Sequence, residues 1–83
     1  MNTGIISTRY AAALLRYVEQ TGNAAKVCEQ ASRLLENPHV EGVILEPELE
    51  RFVLLLRKHG RLEESRFILS SFGAMYYKSQ GIV

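Results

Sequence analysis

Metal binding, nucleophilic catalysis and phosphate binding each ask for particular residues at particular spacings, and few of the 83 residues of this chain qualify. A zinc-like centre needs several Cys, His or carboxylate ligands that can converge on one ion. The sulfur and nitrogen ligands are Cys28, His39 and His59, and no two of them form a close pair. Cys28 falls beside an apolar helical stripe, where a free thiol behaves as a small hydrophobe. His59 precedes Gly60 at a helix end, where a cation suits the helix dipole. A nucleophile needs a neighbouring base and an orienting acid, but Ser65, Ser70 and Ser71 lie in a helical pattern with no glycine elbow. Glu46, Glu48 and Glu50 gather at a helix start, where capping and the dipole account for them. The six glycines are scattered and match neither the Walker nor the Rossmann spacing. The expectation is a chain with no catalytic residues, no cofactor and no metal, and therefore no enzyme.

The elements that carry these residues read as helices. Tyr10, Leu14 and Tyr17 recur at helical spacing within 7–20, with Ala11, Leu15 and Val18 as the adjoining row. Ser7 is the expected N-cap, and Gly22 the stop, since glycine takes the left-handed C′ conformation without a Cβ penalty. The Ala11-Ala12-Ala13 run leaves room for close helix packing. Asn23 caps a second helix running to about Glu36, with Val27, Ala31 and Leu34 in its stripe and Leu35 beside it. Asn37-Pro38 is a turn dipeptide. In 37–47, Val40, Val43, Ile44 and Leu45 fit either one apolar helical turn or a buried connection. Pro47 reads as the first residue of a third helix, where its missing N–H costs nothing. That helix presents Leu49, Phe52, Val53 and Leu56 on one face and ends at Gly60. A last helix over 62–79 aligns Leu62, Leu69, Phe72 and Tyr76, flanked by Ile68 and Met75, with Gly81 at its close. No period-two run looks like a strand. Short links favour antiparallel neighbours, so the expected fold is a single all-α domain over 1–83, an antiparallel bundle of four to five helices.

Composition narrows the partners. Ten Lys and Arg balance nine Asp and Glu, which argues against non-specific nucleic-acid binding, because phosphate neutralisation needs a cationic surplus. An 83-residue domain hides roughly 60–65% of its unfolded surface, which leaves a narrow stability margin. A single cysteine permits no internal disulfide, in keeping with a reducing compartment. No stretch approaches the ~20 apolar residues that span a bilayer. The opening residues lack the basic and apolar regions of a secretory signal, so retention in the compartment of synthesis is expected. The remaining functional signal is shape. Tyr10, Leu14 and Tyr17 on the first helix and Phe52, Val53 and Leu56 on the third are either simply core or the two walls of a groove for a partner's amphipathic helix. Tyrosine suits such a rim, with a broad apolar ring and a polar tip.

Three stretches carry a family resemblance. Gly4-Ile5-Ile6-Ser7-Thr8-Arg9-Tyr10-Ala11-Ala12-Ala13-Leu14 resembles the opening motif of the delta subunit of rotary F-type ATP synthases, the counterpart of the oligomycin-sensitivity-conferring protein. Phe52 through Gly60-Arg61-Leu62 is similar to the later motif in which a Phe-containing helix leads into Asn/His-Gly-Arg-Leu. Phe72, Tyr76 and Gly81-Ile82-Val83 resemble that domain's last helix and its exit.

The resemblance implies a non-catalytic stator subunit whose N-terminal domain, a six-helix bundle in the family, sits on the catalytic head. There it holds the N-terminal helix of an alpha subunit between its first and fifth helices. Carried over by position, Tyr10, Ala13, Leu14 and Tyr17 lie on the first groove helix, and Phe52, Val53 and Leu56 on the second. Ala13 suits this place because a bulkier side chain would block close approach. The implied setting is proton-driven ATP synthesis, cytoplasmic and peripheral to the plasma membrane through the complex, with no direct membrane insertion. The sequence ends at Val83, where the family's stalk-binding domain begins, so the peripheral-stalk b subunit is a partner only if a C-terminal domain exists. Family members also carry about two more helices before the Phe-containing one, which makes this a reduced version of the bundle. The competing expectation is a generic helical interaction or regulatory module unrelated to ATP synthase.

Overall fold

The computed structural model describes residues 3–36 and 44–81. Its helices are α1 (Thr3–Thr21), α2 (Ala24–Glu36), α3 (Pro47–Lys58) and α4 (Ser65–Ser79), with a 3-10 turn over Leu62–Glu64 ahead of α4. The fold is all-α: four helices with antiparallel contacts of α4 against α1 and against α2.

α1 starts earlier than its capping signal suggests. Ser7 lies inside the helix rather than capping it, and it is 2% exposed with no hydrogen-bond partner for its hydroxyl among the described residues. The reason is register. Ser7, Ala11, Leu14 and Val18 follow the i, i+4, i+7, i+11 spacing of one helical face, and all four are buried, so Ser7 is the small first member of the core row. One residue on, the Thr8 hydroxyl donates to the Gly4 carbonyl at 2.7 Å, a local bond that keeps this polar side chain compatible with the helix.

Two helix ends close in the same way. After α1, the Asn23 N–H bonds the Val18 carbonyl at 3.0 Å and the Gly22 N–H the Glu19 carbonyl at 3.3 Å. After α3, the Arg61 N–H bonds Leu56 at 2.7 Å and the Gly60 N–H bonds Arg57 at 3.2 Å. Both are Schellman motifs, and both need the left-handed φ that Gly22 (77°) and Gly60 (68°) supply. The expected 62–79 helix is divided just after the second motif, into a 3-10 turn over Leu62–Glu64 and α4. The chain leaves the motif through the 3-10 turn, whose three residues per turn put Leu62 out of phase with α4, and Leu62 is 44% exposed. The α4 row is Ile68, Leu69 and Phe72, all buried, with Met75 and Tyr76 packed against it.

The core is one cluster to which every helix contributes: Ala11, Leu14 and Val18; Val27, Cys28 and Ala31; Leu49, Phe52 and Leu56; and the α4 row. Among the described residues Phe72 is the largest fully buried side chain, and burying a residue of that kind stabilises by about 1.5–3 kcal/mol. α4 packs its backbone against α1 and α2 along much of its length, while α3 comes near either of them at few points.

The entry to α3 is held by amides and carboxylates. Glu46 occupies the cap position without a side-chain capping bond, contrary to the capping role expected of it. Its carboxylate instead accepts from Asn23 Nδ2 at 2.7 Å. Asn23 therefore spends its side-chain amide across the fold, and its backbone carbonyl receives the Val27 N–H that opens α2. Glu48, 6% exposed, accepts from the Thr21 hydroxyl at 2.6 Å and from Asn23 Nδ2 at 3.3 Å. These bonds, with the nearby Arg51 charge, hold its carboxyl below the ordinary glutamate value, the Thr21 bond contributing most. Gln30 secures the segment just before: its Nε2 donates to the Ile44 carbonyl at 3.1 Å, and its Oε1 accepts the Glu46 N–H at 2.7 Å. Of the apolar residues expected to form a turn or buried connection, Ile44 is 89% exposed and Leu45 is half-buried in irregular chain. Val40 and Val43 lie outside the described residues, as do His39 and the Asn37-Pro38 turn.

Candidate docking groove between the first and third helices

Because α3 stands off from α1, a groove of about 560 Å³ opens between them. The α1 wall is Tyr10, Ala13, Leu14 and Tyr17, and the α3 wall is Phe52 and Leu55. Arg9 and Arg51 complete the lining. Helical geometry explains the α1 set. Its four members fall within about one third of the circumference at 100° per residue, beside the core row and sharing Leu14 with it. Leu14 is buried beneath the groove, Ala13 is exposed in it, and the two tyrosines are half-buried.

Both tyrosines reach across to α3 with their polar tips. The Tyr10 hydroxyl lies 2.9 Å from His59 Nδ1, and the Tyr17 hydroxyl accepts from Arg51 Nη1 at 3.2 Å. Residue number rises along α1 as it falls along α3, so the two walls run antiparallel. The Tyr10 ring also meets Phe52 edge-on, with centroids 6.4 Å apart and planes inclined by 68°, a favoured aromatic geometry. The walls are thus spaced by rings and tied by two polar bridges, which leaves an apolar floor with space above it.

Five of the seven residues expected to bind a partner therefore line one groove: Tyr10, Ala13, Leu14, Tyr17 and Phe52. The other two are elsewhere. Leu56 is fully buried in the core. Val53, about 100° further round α3 than Phe52, lines a separate depression with Leu34, Leu35 and Leu69. The α3 wall turns the other way, through Arg51 and Leu55, which the sequence reading did not select; nor did it select Arg9. Their signal was the i, i+4 spacing of Arg51 with Leu55 and of Arg9 with Ala13. Nothing in the pattern favoured that flank of Phe52 over the Val53 flank.

The remaining candidates for chemistry sit apart. Cys28 is buried on α2, and burial pushes its thiol pKa up, against a smaller opposing effect of the Tyr77 hydroxyl. Ser65, Ser70 and Ser71 are all on α4. Among the described residues no three His, Cys, Asp or Glu side chains converge as metal ligands, and no helix is long and apolar enough to cross a membrane. Comparison of the chain with known protein families, characterised proteins and solved structures gives no match.

Proposed function

We propose that this chain is a non-catalytic docking domain of the delta-subunit type, which sits on the catalytic head of a rotary F-type ATP synthase by holding the N-terminal helix of an alpha subunit. The observation that carries the reading is the apolar α1–α3 groove, built from the Arg9-Tyr10-Ala11 helix on one side and the Phe52 helix on the other. A cleft with two helical walls and an apolar floor suits an amphipathic helix laid along it. On this reading the four helices are a reduced version of the family's six, with α3 in the place of the fifth. The domain works as part of the stator in proton-driven ATP synthesis, on the cytoplasmic side and peripheral to the plasma membrane. The peripheral-stalk b subunit is a partner only through a C-terminal domain.

Titration calorimetry with the alpha subunit's N-terminal segment tests this. Binding in the nanomolar range is expected, with a negative heat-capacity change from apolar burial. Absence of binding at every salt concentration would end the proposal.

A further inference from the structure

The groove's charges specify its occupant further than its shape does. This step rests on the docking reading above. Two of the groove's lining residues are arginines and none is acidic. The ion pairs among the described residues are Arg33–Glu29 and Arg61–Glu64, so neither Arg9 nor Arg51 is in one. Arg51 donates to the Tyr17 hydroxyl. The carboxylate one turn before it, Glu48, lies near enough to feel the Arg51 charge, but its hydrogen bonds go to Thr21 and Asn23. The two arginines also belong to opposite ends of the groove's lining. Arg51 is beside Tyr17, and Arg9 precedes Tyr10. From Arg9 to Tyr17 is about 12 Å along α1, at ~1.5 Å per residue. The floor between them is apolar.

We infer that the groove takes a partner helix whose apolar stripe is bracketed by two acidic residues about two turns apart, roughly the i, i+7 spacing, one toward Arg9 and one toward Arg51. The apolar stripe supplies affinity. The bracket fixes where along the groove the helix stops, because complementary charge sets specificity and association rate more than it adds binding strength.

The test uses three amphipathic peptides of about twenty residues with one apolar stripe and Glu, Gln or Lys at the two bracketing positions, each titrated into the intact chain. The Glu peptide should bind best. The Gln peptide should bind about three- to five-fold more weakly per position, or about nine- to twenty-five-fold over the two, and the Lys peptide more weakly than the Gln peptide. The Glu advantage should shrink as salt rises. The double variant Arg9→Glu/Arg51→Glu should reverse the order and restore the Lys peptide. If that variant does not fold, as checked by circular dichroism, the three peptides on the native chain decide alone. Equal binding of all three would overturn the acidic bracket and leave docking intact. Binding of the alpha-subunit segment with none of the three would also overturn the bracket. Failure of every peptide, that segment included, would overturn the docking reading itself.

Discussion

Tyr10 and His59 stand 49 residues apart in the chain and meet at 2.9 Å through the tyrosine hydroxyl and Nδ1. This contact ties α1 to the end of α3 beside the groove, and the same Tyr10 ring packs edge-on against Phe52 of the opposite wall. The hydroxyl and the ring should be separable by mutation. Tyr10→Phe keeps the ring and loses an exposed hydrogen bond, so it should cost no more than about 1 kcal/mol. Tyr10→Ala loses the aromatic pair and the half-buried surface as well, and should cost about 2–3 kcal/mol. Urea denaturation of both variants checks the difference, and a double-mutant cycle of Tyr10→Phe with His59→Ala should show coupling of about 0.5–1 kcal/mol.

Ala13 is exposed in the groove, so filling its position should act on binding and not on folding. Ala13→Trp places an indole where a partner helix would lie. Its unfolding free energy should stay within about 0.5 kcal/mol of native, while affinity for the alpha-subunit segment should fall at least about hundred-fold, or ~2.7 kcal/mol. Parallel calorimetry and thermal melts separate the two effects. Unchanged affinity would place the bound helix elsewhere.

Glu48 gives the fold a pH dependence of known sign. Its carboxyl sits below the ordinary value of 4.5, chiefly through the Thr21 hydroxyl and the backbone N–H that it accepts from. A depressed folded pKa means the unfolded chain takes up the proton first. The stabilisation is therefore complete above the ordinary value and is lost as pH falls through the folded one. Denaturation midpoints measured between about pH 7 and pH 3 should fall less steeply in Glu48→Gln than in the native chain. Thr21→Val, which removes the largest cause, should lie between them.

Cys28 should report on opening of the fold. Its thiol is buried and its pKa is raised by desolvation, so the reactive thiolate is scarce and shielded at once. Labelling with a thiol-specific disulfide reagent near neutral pH should be at least about hundred-fold slower in the native chain than in concentrated urea, because reaction waits on opening. Rapid labelling without denaturant would show that α2 lifts from the core far more readily than its packing implies.

The helices, their glycine stops at Gly22 and Gly60, and most of the core were legible because each rests on local periodicity or on one residue's backbone freedom. What local reading missed was rotation. Ser7 resembles a cap in isolation, yet it is a core residue once Ala11, Leu14 and Val18 are placed on its face. On α3, Phe52 borders both the groove and the core. Whether the groove continues through Val53 or through Leu55 depends on where α1 lies, and no periodicity in α3 contains that. The Glu46–Asn23 and Glu48–Thr21 bonds were equally illegible, because they join positions more than twenty residues apart. A helix start rich in Glu reads as dipole compensation until its neighbours in space are known.

The way α3 is mounted has a mechanical consequence. Its first turn is pinned to the α1–α2 corner through Glu48, Thr21 and Asn23, and its C-terminal end is tied to α1 through the Tyr10–His59 bridge. Between these ends it rests on the inward faces of Leu49, Phe52 and Leu56. It is a beam clamped at both ends. Force applied along the groove wall is passed to two anchorages on α1 and its corner rather than bending the span between them. A seated helix could therefore be pulled along its own axis without prising the cleft apart.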